Sequence, residues 1–323
     1  MRILMLGTGP FAVPSFRELL AAHEIPALIT RPLRPGKGRH APQPHPTQLV
    51  AAEFGLPVHA PESINSPEGQ ELIERYAPEL LMVCDYGQIL AREILALPRL
   101  GGINLHASLL PKFRGAAPIN WAILQGERET GVTVIHMTPL LDGGPALAVR
   151  KTPIGPEETA PELEARLAQL GVEAVLEAIK ILTHVPLAER PGIVQDPALV
   201  TKAPRLKKEM GLIDWTRTSE QIACQVRALK PWPGSYTFLH RGDHDPIRVI
   251  CDKVSAVEAQ ASSTSPGGVV ENSHDAIWVK TGNGVLSLDL VQPAGKRPMN
   301  AREFLNGHPV KAGDFFGRED KTS

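Results

Sequence analysis

Asn104 and His106 lie two residues apart in the run Gly102-Ile103-Asn104-Leu105-His106. On a strand, that spacing puts both side chains on one face. An imidazole beside a carboxamide suits the movement of an acyl group onto an amine. The imidazole can relay the proton that the attacking nitrogen must lose, and the amide N–H can stabilise the oxyanion of a tetrahedral intermediate. Such an imidazole needs an acid to fix its tautomer and support its cationic form. Asp142 is the best candidate, because it sits in Leu140-Leu141-Asp142-Gly143-Gly144, just after a strand ending at Met137. Loops after neighbouring parallel strands meet at the same sheet edge.

The elements that must position these groups are read from periodicity. Residues 2–6 form a continuous apolar run followed by a turn and a helix beginning near Pro14. A second strand covers Ile25 to Thr30, a helix runs from Thr47 to about Phe54, and a short strand spans Pro57 to His59. Another helix runs from Pro67 to Tyr76, a buried strand from Leu80 to Cys84, and a helix through Ile89 to Leu97. The Asn104 strand, a helix from Ile119 to Leu124, strands at Val132 to Met137 and Ala146 to Val149, and an amphipathic helix over 160–183 complete the first part. Strands alternating with helices specify an α/β fold, a doubly wound, mostly parallel sheet covered on both faces. Polar groups at the end of such strands stand where open α/β sheets bind ligands.

The first domain is expected to span 1–187, with a proline-rich, aperiodic linker at 188–208 that ends in Lys202, Arg205, Lys207 and Lys208. In 209–323 one helix is expected near Ser219 to Leu229. Short runs follow at Ile247 to Cys251, Gly268 to Val270, Ala276 to Val279 and Val285 to Leu290, a spacing that reads as a small β-barrel.

Composition sets the outer bounds. A chain of 323 residues, 42% hydrophobic and 21% charged, is long enough for two cores and ordinary for a soluble protein. Cys84, Cys224 and Cys251 are far apart and form no C-x-x-C pair, so neither a disulfide framework nor a metal site is expected. The N-terminal apolar run is too short for a signal peptide, which makes the cytoplasm the expected compartment and no membrane partner expected. A net charge of −1 means that any RNA partner must be held by local patches.

Two further motifs compete for a role. Gly7-Thr8-Gly9-Pro10-Phe11-Ala12 matches G-x-G-x-x-A, and Arg31 stands where a reader of an NADP 2′-phosphate would sit. Against an NADP oxidoreductase, Pro10 removes a backbone donor and no acid closes the second strand. Residues 31–46 carry Arg31, Arg34, Lys37 and Arg39 with many Pro and Gly residues and no acid, an exposed basic loop suited to a phosphate backbone. A non-catalytic RNA-binding module built on that loop and the barrel is the third alternative.

The run Asn104-Leu105-His106-Ala107-Ser108-Leu109-Leu110-Pro111-Lys112-Phe113-Arg114-Gly115-Ala116-Ala117-Pro118-Ile119 closely resembles the signature of the 10-formyltetrahydrofolate-dependent formyltransferases. The resemblance covers nearly the whole chain. Arg34-Pro35 through Arg39 is similar to that family's tRNA-inserting loop, and Tyr86-Gly87-Gln88-Ile89-Leu90 to its folate-pocket segment. Thr130-Gly131-Val132-Thr133, Ile213-Asp214-Trp215, Pro231-Trp232-Pro233-Gly234 and Gln292-Pro293-Ala294-Gly295-Lys296 also match. The resemblance implies a Rossmann-like first domain, an OB-like barrel, and Asn104, His106 and Asp142 as the catalytic three. It implies 10-formyltetrahydrofolate as co-substrate, contacted by Tyr86, Gly87, Ile89, Ser108, Leu109, Leu110 and Pro111, with no metal. It further implies a monomer that formylates the α-amine of methionine on initiator tRNA for translation initiation, the tRNA being held by Arg34, Lys37, Arg39, Lys207 and Lys208. Hydrolysis of 10-formyltetrahydrofolate and formylation of an amino sugar are sibling alternatives.

This chain departs from the family pattern at several positions. Relatives usually carry Gly-Leu-Asp-Thr-Gly-Asp where Leu140 to Pro145 stand here, Pro-Asp where Gly9-Pro10 stand, and Val-Ala-Tyr-Gly where Cys84-Asp85-Tyr86-Gly87 stand, which adds a carboxylate near the pterin pocket that the resemblance implies. Lys37 takes the place of an Arg, a point charge instead of a planar fork.

Overall fold

The computed structural model describes residues 1–33, 42–185, 191–242, 244–258, 264–270 and 275–319. They form two compact units. The first comprises Met1–Ile119, Glu129–Ile154 and Glu162–Arg205; the second comprises Asn120–Arg128, Gly155–Pro161 and Leu206–Ser323.

The chain runs through β1 (Ile3–Gly7), α1 (Val13–Ala22), β2 (Leu28–Ile29), α2 (Pro46–Glu53), β3 (Val58–His59), α3 (Pro67–Tyr76), β4 (Leu80–Cys84), α4 (Arg92–Ala96) and β5 (Gly102–His106). It continues through β6 (Arg114–Gly115), α5 (Pro118–Leu124), β7 (Glu129–His136), β8 (Ala146–Pro153), α6 (Ala160–His184) and β9 (Lys202–Ala203). β1 and β4 are buried along their whole length, as strands covered on both faces must be. α3 starts where Ser66 accepts from the Gly69 amide and Pro67 takes the first helical position.

Among the described residues the first unit's main sheet has the order β3-β2-β1-β4-β5-β7-β8. The neighbours from β3 to β5 pair in parallel. β1 lies between β2 and β4, so the topological switch point falls at the carboxyl ends of β1 and β4, where α/β sheets open a crevice. β7, however, runs antiparallel to β5, and β8 antiparallel to β7. The Asp142 loop therefore does not follow a parallel neighbour of β5, contrary to the expectation from the sequence. His136 lies opposite Ile103, and the Met137 amide donates to the Gly102 carbonyl, so that loop begins at the other end of β5 from His106. Ile103 and Leu105 are buried on the opposite face of β5 from Asn104 and His106, and Leu105 packs against Gly171 of α6.

The second unit holds α7 (Ser219–Ala228), β10 (Ser235–His240), β11 (Ile247–Val257), β12 (Val269–Val270), β13 (Trp278–Lys280), β14 (Val285–Pro293), β15 (Met299–Asn300), α8 (Ala301–Gly307) and β16 (Phe315–Gly317). Its antiparallel sheet has the order β12-β13-β14-β11-β10-β16, with β15 on β14. The Gly268–Phe315 bridge and the bond from the Phe316 amide to the Gly267 carbonyl join β12 to β16 and close the sheet into a barrel. Register shifts between Cys251 and Val254 mark a bulge that lets β11 bend with the closure. Trp215, Ile222, Leu239, Leu286 and Phe304 lie in its core. β10 and α8 were not read from periodicity.

The expected linker is also revised. Residues 191–205 belong to the first unit, where β9 pairs with β6 and Ile193 bridges to Ala146. No helix among the described residues is long and apolar enough to cross a membrane.

Candidate active site

His106 ends β5 with its side chain 6% exposed. Its Nε2 lies 2.9 Å from the Phe113 carbonyl oxygen. A carbonyl oxygen accepts only, so Nε2 carries the hydrogen in the neutral ring and Nδ1 keeps the lone pair. Nδ1 faces Asp142 Oδ2 at 3.7 Å. A proton arriving at Nδ1 would thus meet a carboxylate at once, and the imidazolium would find an acceptor at each nitrogen. Asp142 Oδ2 is held in turn by the Gly115 amide at 2.9 Å.

Asn104 is half-buried on the same face, two residues earlier, and its carboxamide makes no hydrogen bond among the described residues. The structure thus places all three expected catalytic residues in the first unit, brings His106 and Asp142 together, and sets Asn104 beside them with its donors uncommitted.

Both acceptors of His106 are supplied by strained backbone. Phe113 has φ +63° and Asp142 φ +49°, a region that L side chains avoid and that recurs at functional sites. The loop of Asp142 tucks back over the sheet because Gly144 has no side chain: a Cβ there would lie 1.7 Å from the His136 carbonyl oxygen. Thr133, opposite His106 in the register, accepts from the Leu110 amide and donates to the Ser108 carbonyl, which pins the segment after β5. Ser108 is fully buried, and its hydroxyl donates to the Lys112 carbonyl. Leu109, Leu110 and Pro111 are half-buried in the same turn.

Val83 of β4 pairs with Asn104, so the segment after β4 leaves the sheet next to this site. Its ends are fixed. Gln88 accepts from the Ile64 amide and donates to the Glu62 carbonyl, and Asn65 bridges the Ile89 carbonyl and the Ala91 amide. The backbone N–H groups from Tyr86 to Leu90 donate to nothing among the described residues. Tyr86 is buried and Ile89 exposed, while Gly87, at φ +77°, lies against the Arg31 guanidinium.

Asp85 stands at the switch point. Burial pushes its carboxyl up, with the Arg31 guanidinium pulling the other way, and the Glu164 carboxyl is raised by burial and by Asp85. A Cβ at Gly9 would lie 1.6 Å from Asp85 Oδ2, so this carboxylate fills the space over the first turn. The dinucleotide reading fails there, because a pyrophosphate on the Gly7 to Ala12 turn would meet a buried acid.

Arg34, Lys37 and Arg39 lie outside the described residues; Lys207 and Lys208 are exposed in the second unit. Among the described residues no three His, Cys, Asp or Glu side chains group as metal ligands. Sequence reasoning missed Gln195. Its side chain reaches Arg114, Asp142 and Gly144 from a segment without periodicity, and its one signal was a lone Gln beside prolines.

Comparison with known proteins follows the same division. The family described as formyl transferase matches residues 1–179, and that described as formyl transferase, C-terminal domain, matches residues 205–309. A protein of Rhodopirellula baltica named methionyl-tRNA formyltransferase is 45% identical over 326 residues, covering 97% of this chain and 96% of its own. One of the same name from Citrifermentans bemidjiense is 41% identical over 324 residues, covering 100% of this chain and 98% of its own. Two solved structures share the fold. HypX from Aquifex aeolicus in complex with tetrahydrofolic acid has a TM-score of 0.60 at 19% identity, over 97% of this chain and 48% of that one. An N-formyltransferase from Helicobacter canadensis in complex with folinic acid and dTDP-3-aminofucose has a TM-score of 0.63 at 17% identity, over 90% of this chain and 98% of that one.

Proposed function

The chain belongs to the formyl transferase family, and on that premise we propose that it formylates the α-amine of methionine carried on initiator tRNA, giving N-formylmethionyl-tRNA. The observation that carries this reading is the seating of His106 between the Phe113 carbonyl and the Asp142 carboxylate, with the uncommitted carboxamide of Asn104 on the same face. 10-Formyltetrahydrofolate supplies the formyl group. Nδ1 of His106 takes the proton that the attacking amine gives up, and Asp142 stabilises the imidazolium so formed. The Asn104 amide donates to the carbonyl oxygen as negative charge develops there. His106 can then return its proton to the departing nitrogen.

The free backbone donors of Tyr86 to Leu90 fit a heteroaromatic ring that offers acceptors, with Ile89 covering it and the buried Tyr86 anchoring the segment, while Ser108 braces the turn after β5. Gly87 and the Leu109 to Pro111 turn complete the folate contacts in this reading. Arg34, Lys37 and Arg39 hold the acceptor end of the tRNA, and Lys207 and Lys208 add phosphate contacts. By this reading the protein acts as a monomer in the cytoplasm, where charged tRNA is used.

Incubation with formyl-labelled 10-formyltetrahydrofolate and methionyl-tRNA tests the proposal. Labelled N-formylmethionyl-tRNA is the expected product. Free formate without it would make the enzyme a hydrolase, and formylation of an amino sugar in preference to methionyl-tRNA would make it a sugar formyltransferase.

A further inference from the structure

We infer that Gln195 is a positioning residue of the transfer reaction, acting by holding Asp142 against His106; the inference rests on the function proposed above. Gln195 is 9% exposed. Its Oε1 accepts from Arg114 Nε at 3.1 Å and Nη2 at 2.7 Å, and its Nε2 donates to the carbonyls of Asp142 at 2.9 Å and Gly144 at 2.7 Å. A guanidinium can only donate and a carbonyl can only accept, so the chemistry of the partners fixes which end of the amide points where. All four sites lie on the two loops that build the acid side of the catalytic centre.

The segment carrying Gln195 is itself fastened at both ends. Ile193 exchanges two 2.8 Å backbone bonds with Ala146, and the Thr201 hydroxyl accepts from the Phe113 amide at 2.8 Å. β9 then pairs with β6. The strap from 193 to 203 therefore ties down Asp142 and Phe113, the residues that face the two nitrogens of His106. Asp142 needs such support. It sits in the left-handed region at φ +49°, and while the Gly115 amide holds its carboxylate, the carbonyls of Asp142 and Gly144 are both held by Gln195. Without the bonds to Gln195 Asp142 can relax, and its carboxylate leaves Nδ1.

The test uses the full-length protein as wild type, Gln195→Ala, Gln195→Glu, Asp142→Asn and Asp142→Asn with Gln195→Ala. Gln195→Glu keeps the size and the Arg114 contact but turns an oxygen towards two carbonyls, so it serves where the alanine variant folds poorly. Formyl transfer to methionyl-tRNA should lose about 10- to 100-fold in kcat in both Gln195 variants, with KM nearly unchanged. In the Asp142→Asn background the further loss should shrink to less than about 3-fold, because residues acting as a unit are not additive. Equal losses in both backgrounds, or full kcat in both Gln195 variants, would overturn the inference. The imidazole resonances of His106, read by NMR without turnover, should move in Gln195→Ala towards their positions in Asp142→Asn; unmoved resonances would overturn it as well. A wild type that makes no formylmethionyl-tRNA while the resonances move defeats the functional reading and leaves this one standing.

Discussion

Two polar clusters lie at the carboxyl end of the same sheet and are built on opposite terms. Around His106, the ring, the Asp142 carboxylate, the Arg114 guanidinium and the Gln195 amide all have partners. Around Asp85, at the switch point, Arg31 Nε, Tyr86 Oη and Thr30 Oγ1 are buried without a hydrogen bond among the described residues, and burial raises both the Asp85 and Glu164 carboxyls. Each unmet buried group costs on the order of 1–3 kcal/mol. A satisfied network fixes geometry before substrate arrives, whereas the second cluster costs stability in the free protein. The contrast separates groups whose geometry is already fixed by their partners from groups held in place at a cost in stability.

The largest effect expected is on turnover. His106→Ala and Asn104→Ala should each lower formyl transfer by roughly 10²-fold or more with thermal unfolding little changed. Near-normal rates in either folded variant would take that residue out of the chemistry and break the contrast.

Next comes the placement of the strap. A fragment ending at 205 should retain folate-dependent chemistry on a small amine. One ending at 187 loses Gln195, Thr201 and β9 and should fall about another 10-fold or more. Equal rates for the two fragments would mean that the catalytic loops hold themselves.

Asp142→Asn should act through the imidazole, changing the shape of the pH–rate profile as well as its height. An unchanged profile would leave Asp142 as a loop cap that accepts from the Gly115 amide.

The smallest effect is at the other cluster, and it has the opposite sign. In the native state the Asp85 carboxyl keeps its proton to higher pH than in the unfolded chain, so stability falls as pH rises from the ordinary carboxylate range through the raised value. Asparagine has no proton to lose. Asp85→Asn should therefore raise the unfolding temperature by a few degrees near neutrality, and by progressively less towards acid pH. A pH-independent difference would mean that Asp85 is not buried as a strained acid.

Much of this was legible in the sequence. Apolar runs marked β1 and β4, Pro67 marked the start of α3, and the signature from Asn104 to Ile119 marked the candidate site. Strand direction was not legible. Periodicity is the same for a strand running either way, so Asp142 was assigned by an argument from parallel neighbours, although the actual route is an antiparallel hairpin that folds back over the face. The strap was illegible for a different reason. Its partners are backbone carbonyls and one arginine far away in sequence, and such contacts leave no apolar pattern. β10 went unread because Ser235 to His240 has a nearly continuous burial pattern without the expected alternation.

The steric relation between Gly9 and Asp85 also makes the two positions interdependent. A side chain gained at position 9 while Asp85 remains must evict a buried carboxylate whose Oδ2 lies 1.6 Å from the new Cβ. Losing the acid first meets no such obstacle. Position 9 can therefore accept a side chain only once the acid at 85 has gone, and the opposite order of change passes through a protein that the fold resists.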